Sequence, residues 1–169
     1  MQTKEAKEKL AAIAESYVGV LEVGHNDGPE VAMIQRAVDN LAAGEPWCMA
    51  FCQHCLSVVS TAHKVAHRVA RSEHVLTVWS RSPLVLRKTM PERGLIAVWR
   101  KNGTSFGHAG IVSRVLPTGY FETVEGNTSP GKHIEREGDG VFEKTHSLKE
   151  RKITTIGKLS LVGFLDPFC

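Results

Sequence analysis

Residues 94–125, GLIAVWRKNGTSFGHAGIVSRVLPTGYFETVE, decide the fold class. Leu95–Arg100 is a β-like run, Lys101-Asn102-Gly103-Thr104 contains an Asn-Gly hairpin signal, and His108–Leu116 reads as a second strand. Pro117-Thr118-Gly119 is a turn and Tyr120–Glu125 a third strand, with two more at Val141–His146 and Leu161–Leu165. Upstream the period changes to that of helices. Leu10, Ile13, Ala14 and Tyr17 recur at helical spacing up to Gly19, and Pro29 suits a first helical position ahead of a stripe of Val31, Ile34, Val38 and Leu41. Pro46 opens a third helix whose broad apolar face carries Cys48, Phe51, Cys52, Cys55, Leu56 and Val59. Short helices are expected around Ser72–Trp79 and Pro83–Thr89. Helices first and a hairpin-linked antiparallel sheet afterwards make an α+β fold, with about five to six strands.

The chain has 169 residues, 42% of them hydrophobic and 23% charged, so we expect one domain over residues 1–169 with an ordinary core. A net charge of +3 is too small to argue for nucleic acid. No apolar stretch approaches the roughly 18 residues that read as membrane-spanning. Met1–Leu10 is rich in Lys and Glu without an apolar centre, so no secretory signal is expected. Three of the four cysteines crowd into Cys48–Cys55, a poor basis for a disulfide scaffold, and the thiols are read as reduced.

Cys48 follows Gly44-Glu45-Pro46-Trp47 and so falls in the first turn of its helix, where free backbone N–H groups and the helix dipole favour an anion. A thiol placed there is more acidic than usual. A thiolate nucleophile needs an imidazole to take and return its proton, and a third group to orient the ring. His108 opens a strand between small neighbours. Glu125 and Asn127 lie two apart, so both project from one face of an extended chain, and either fits the orienting role. Trp47, beside the nucleophile, is read either as a wall of a substrate groove or as core.

The segments Gly44–Phe51, Gly107–Val112 and Val124–Thr128 together resemble the signatures of CHAP amidase domains, members of the NlpC-type papain-like cysteine peptidases that cut bacterial peptidoglycan. The resemblance runs over about residues 5 to 166, and Val162–Leu165 is similar to the family's last strand. It implies Cys48 as nucleophile, His108 as general base then acid, Glu125 as the ring-orienting residue and Asn127 as a fourth polar member. It also implies an acyl-enzyme on Cys48, an oxyanion site using the Cys48 backbone N–H, no cofactor, and peptidoglycan as partner of a monomer. The expected reaction is that of an N-acetylmuramoyl-L-alanine amidase or endopeptidase. A phage endolysin released through a membrane hole, or a toxin delivered by a secretion machine, would be made in the cytoplasm and act on the wall. One departure is Leu95, where such domains often carry Asp after the glycine; we read it as structural.

Competing signals are weaker. Cys48, Cys52 and Cys55 share a face that would suit zinc, but that face is needed for the core. His25-Asn26-Asp27-Gly28 and Glu137-Gly138-Asp139-Gly140 resemble pieces of calcium loops without the alternating acidic ligands, and are read as surface turns with no metal. The basic residues His63, Lys64, His67, Arg68, Arg71, Arg81, Arg87 and Lys88 suit a solvated face or attraction to an anionic wall. The alternatives are a non-catalytic or zinc-stabilised wall-binding module and a papain-like acyltransferase.

Overall fold

A computed structural model describes residues 3–130 and 138–169. Four helices, α1 (Thr3–Ser16), α2 (Pro29–Asp39), α3 (Cys48–His63) and α4 (Val75–Arg81), precede an antiparallel sheet. Its strands are β1 (Arg87–Lys88), β2 (Ile96–Lys101), β3 (Gly107–Val115), β4 (Tyr120–Thr128), β5 (Gly140–Ser147) and β6 (Leu159–Leu165). They are ordered β1-β6-β2-β3-β4-β5, so the last strand returns to lie between β1 and β2. The fold is α+β, as the sequence pattern requires.

Each helix is bounded by local chemistry. Pro29 starts α2 after Gly28, and Asn40 ends it in the left-handed region at φ 68°, its N–H bonding to the Arg36 carbonyl. The helix therefore stops short of Leu41, which is 61% exposed, while Val31, Ile34 and Val38 are buried. The apolar stripe is one residue shorter than its spacing suggests. In α3 every residue from Cys48 to Leu56 is buried, including the polar Gln53 and His54. The expected broad apolar face is in fact a whole buried half-helix, packed between α1 and α2 on one side and β3 and β4 on the other.

The middle segment departs in detail. One short helix is α4, while the second expected helix reduces to a single turn at Leu84–Leu86 that leads into the edge strand β1. The Asn-Gly signal does not make a two-residue hairpin. Lys101 N–H bonds to the Phe106 carbonyl across a longer loop, and Asn102 is drawn away to the Ile153 carbonyl and Ser160. Three of the basic residues of this region are engaged in structure. Arg71 donates to the Val38 and Ala37 carbonyls, Arg87 donates to the Trp79 carbonyl and stacks 4.9 Å from its ring, and Lys88 donates to the Val85 carbonyl.

Two cores result. The larger lies between helices and sheet, around Leu10, Ile34, Phe51, Leu56, Ile96 and Ile111. A smaller one on the other side gathers Leu95, Trp99, Phe121, Leu161 and Phe164 under the turn Leu148–Lys152. Leu95 is 1% exposed, which gives its departure from the family pattern a packing reason. Gly94 beside it has φ +83°, and a Cβ there would lie 2.2 Å from the Lys7 carbonyl oxygen. Neither backbone can move freely, because Lys7 is itself buried and paired with Glu92 and Asp166. Replacing Gly94 by Ala is expected to destabilise the protein by at least about 2 kcal/mol. Thermal or denaturant unfolding of the variant checks this; an unchanged midpoint would show that α1 and this corner are not tightly joined.

Candidate active site

The path into α3 is held before the helix begins. Asn26 stands in the left-handed region at φ 51° and is only 3% exposed. Its side chain donates to the Gly44 carbonyl, and buried Gln35 donates to the carbonyls of Asn26 and Glu45. Glu22 accepts from the Asn26 N–H and from Trp47 Nε1. In the segment read as a surface turn His25 and Asp27 are indeed exposed, but Asn26 points inward as a buried strut that fixes residues 44–47. Glu137 of the second calcium-like fragment lies outside the described residues.

Cys48 is the first residue of α3 and is 3% exposed. Burial pushes its thiol pKa up, but the His108 side chain and the backbone N–H groups of Ala109 and Met49 outweigh burial, leaving the pKa below its ordinary value. The sulfur borders a cleft formed by Glu45, Pro46, Glu73, His74, Val75, Ser105, Phe106 and Gly107.

His108, the second residue of β3, is fully buried. Its Nε2 lies 2.7 Å from Glu125 Oε2. The other nitrogen, Nδ1, is buried with no partner of regular hydrogen-bond geometry, and is the nitrogen left to interact with the Cys48 thiol. Burial disfavours the charged ring, yet Glu125 first and Cys48 second raise its pKa above the ordinary imidazole value. Glu125 is also fully buried; burial pushes its pKa up, and the charges of His108 and His146 pull it well below the usual carboxylate range. Gly110 makes this approach possible, since a Cβ there would lie 2.6 Å from Glu125 Cγ.

Three of the residues singled out in the sequence thus converge: a helix-tip thiol, an imidazole and a carboxylate. Asn127 is placed differently. The pairing of β4 with β5 shifts between Glu125 and Thr128, and Asn127 takes φ 55°. That irregularity breaks the two-residue alternation, and Asn127 Oδ1 faces the Gly138 N–H at 3.5 Å. Of acid and amide, it is the acid that holds the ring. Trp47 is fully buried against Gly126 and does not border the cleft, so of its two readings the structure shows packing.

Cys52 and Cys55 are fully buried core thiols whose pKa values are raised by burial. Sequence reasoning missed His146, whose Nε2 lies 2.5 Å from Glu125 Oε1, and the carboxylates of Glu45 and Glu73 on the cleft. The cleft residues come from separate segments, and β5 register alone brings His146 to Glu125, so no short motif marks them.

A thiol at a helix tip, an imidazole on a neighbouring strand and a buried acid behind it are the residue types that thiol-dependent acyl chemistry uses. The CHAP domain model matches residues 40–127, just over half of the chain, and the chain belongs to the CHAP domain family. The matched stretch contains Cys48, His108 and Glu125. The family is one of cysteine/histidine-dependent amidases and peptidases of the peptidoglycan-hydrolase type. No curated protein and no solved structure matches the chain. Among the described residues, no helix is long and apolar enough to cross a membrane.

The buried ion pairs link stability to pH. Raised imidazole pKa values at His108 and His146 stabilise the fold fully below about pH 6.5 and progressively less as pH rises toward the folded values. The lowered Glu125 value contributes fully above about pH 4.3 and is lost as pH falls toward its folded value. In a Cys48→Ala background, which removes the opposing thiol contribution, the melting temperature is expected to fall between about pH 6 and about pH 9. Adding Glu125→Gln should cost about 3–5 kcal/mol near pH 6 and distinctly less near pH 9. An equal cost at both pH values would contradict the paired-charge assignment.

Proposed function

We propose that Cys48 is the nucleophile of a peptidoglycan amidase or peptidase and that His108 is its general base and acid, oriented by Glu125. The observation that carries the reading is one fully buried imidazole held at Nε2 by Glu125 at 2.7 Å, its Nδ1 without another partner, beside a cleft-lining Cys48 whose thiol pKa it lowers. The thiolate attacks an amide carbonyl of the stem peptide or cross-bridge, forming a C–S bond as the carbonyl becomes an oxyanion. Collapse breaks the C–N bond while His108 gives its proton to the departing amine. Water, deprotonated by His108, then releases the acyl group and restores the thiol. The first-turn N–H groups of α3, Cys48 among them, offer donors for the oxyanion.

The cleft supports a peptide substrate. Glu45 and Glu73 bring two carboxyl groups to its wall, and burial first, then the neighbouring acidic side chains Glu45 and Asp39, raises the pKa of Glu73. Such a wall favours a substrate carrying an ammonium group, as the diamino acids of stem peptides do. Exposed Phe106 adds an apolar contact on the same cleft. A phage lysin or a delivered antibacterial toxin is the role that fits a wall hydrolase of this kind.

Cys48→Ala and Cys48→Ser are expected to lower the rate of turbidity loss of purified cell walls by at least about 10³-fold while leaving the circular dichroism spectrum that of the folded parent. Mass spectrometry of the soluble fragments from the parent digest should show new free amines and carboxylates at one type of amide bond. Undiminished lysis by the Cys48 variants would overturn the reading.

A further inference from the structure

The contacts around Glu125 continue past it. Oε1, which accepts from Thr123 Oγ1 at 2.6 Å, also meets His146 Nε2 at 2.5 Å. The second nitrogen of His146, Nδ1, faces Glu150 Oε1 at 3.3 Å. Glu150 is fixed in turn: Trp99 Nε1 donates to its Oε2 at 2.8 Å, and the Ser147 N–H donates to Oε1 at 3.0 Å in the capping box that opens the turn Leu148–Lys152. His146 is 2% exposed, with the Trp99 ring at 4.5 Å and the Phe121 ring at 5.6 Å between centroids. Trp99 also lies 5.9 Å from the His108 ring, so one indole walls both imidazoles.

Both ring nitrogens of His146 face carboxylate oxygens. A neutral imidazole has one N–H and one lone pair, and would aim that lone pair at an anion. Only the doubly protonated ring donates to both. We propose that His146, standing as an imidazolium between Glu125 and Glu150, is a positioning residue that keeps Glu125 ionised and aimed at His108, and so sets the pH range over which Cys48 is reactive.

The proposal rests on the reading of Cys48 and His108 as the reactive pair. The charged and titratable groups facing His146 are Glu125 from β4, Glu150 from the turn after β5, His108 from β3 across Glu125, and buried Lys144 two residues back on its own strand. β2 contributes only the uncharged Trp99. Burial disfavours charge on the ring, but Glu125 and then Glu150 reverse this and raise its pKa, in agreement with the hydrogen-bond count. Charges alternate along the row from Cys48 thiolate through His108, Glu125 and His146 to Glu150. Removing the one at His146 leaves the remaining sites in a more negative field, so every proton in the row is held more tightly.

The test is the alkylation rate of the cleft-lining Cys48 by iodoacetamide as a function of pH, in a Cys169→Ser background that removes the one exposed thiol among the described residues. This readout needs no cell-wall substrate. His146→Gln is expected to move both limbs of the reactivity profile up by about one pH unit. Glu150→Gln, which removes a negative charge and can still cap the turn, should move both limbs down. The double variant His146→Gln/Glu150→Gln restores the charge of the row and should bring the limbs back toward the parent values. Circular dichroism establishes that each variant is folded; if His146→Gln does not fold, the sign of the Glu150→Gln shift alone decides. Unmoved limbs in the folded variants, or shifts of the same sign for both single substitutions, would overturn the proposal. A parent protein whose Cys48 reacts no faster than an ordinary thiol would instead overturn the reading beneath it.

Discussion

A carboxylate with no access to water is the constraint around which this molecule is arranged. Glu125 is fully buried, and an unpaired charge in that position would cost several kcal/mol. It is accommodated because three donors reach it, Thr123 from its own strand, His108 from β3 and His146 from β5. Those contacts hold only in one register of three adjacent strands. The same groups that make the acid tolerable therefore orient the imidazole that faces the thiol, so register, stability and reactivity depend on one another.

The thiol is delivered by a helix that packs on the central strands β3 and β4 and whose first half is buried all round. Such a helix cannot rotate or slide without exposing Phe51 or Leu56, and its entry is tied by Asn26, Gln35 and Glu22. Rigidity at this point has a chemical use. The thiol interacts with its imidazole only across a short distance, and a site held in place needs little rearrangement when charge develops. The cleft beside it carries the carboxylate residues Glu45 and Glu73 in its lining.

Much of this was legible in the residues. The change from helical to strand spacing at Gly94 announced α+β, and the first-turn Cys48, strand-start His108 and strand-borne Glu125 each carried a local chemical reason for their place. What failed to show depended on pairing at a distance. Asn127 shares the spacing of Glu125 on paper, but an irregularity in β4 turns it aside. His146 looks like one polar residue in a half-exposed strand until the β4–β5 register sets it opposite Phe121 and beside Glu125. Asn26 reads as a turn residue, and only the returning loop at Gly44 makes it a buried strut. Leu41 shows the same limit on a smaller scale, since its helical spacing was overridden by a left-handed cap one residue earlier.

The central claim is that His108 is held as an imidazolium by Glu125 on one nitrogen and a thiolate-forming cysteine through the other. Nitrogen-15 NMR of the histidine side chains, titrated with and without Glu125→Gln, observes this directly. The account predicts that both His108 nitrogens carry protons through neutral pH, with deprotonation well above the ordinary value of about 6.5 and a marked fall in that value once Glu125 is replaced. A His108 ring that titrates near 6.5 in both proteins would contradict it.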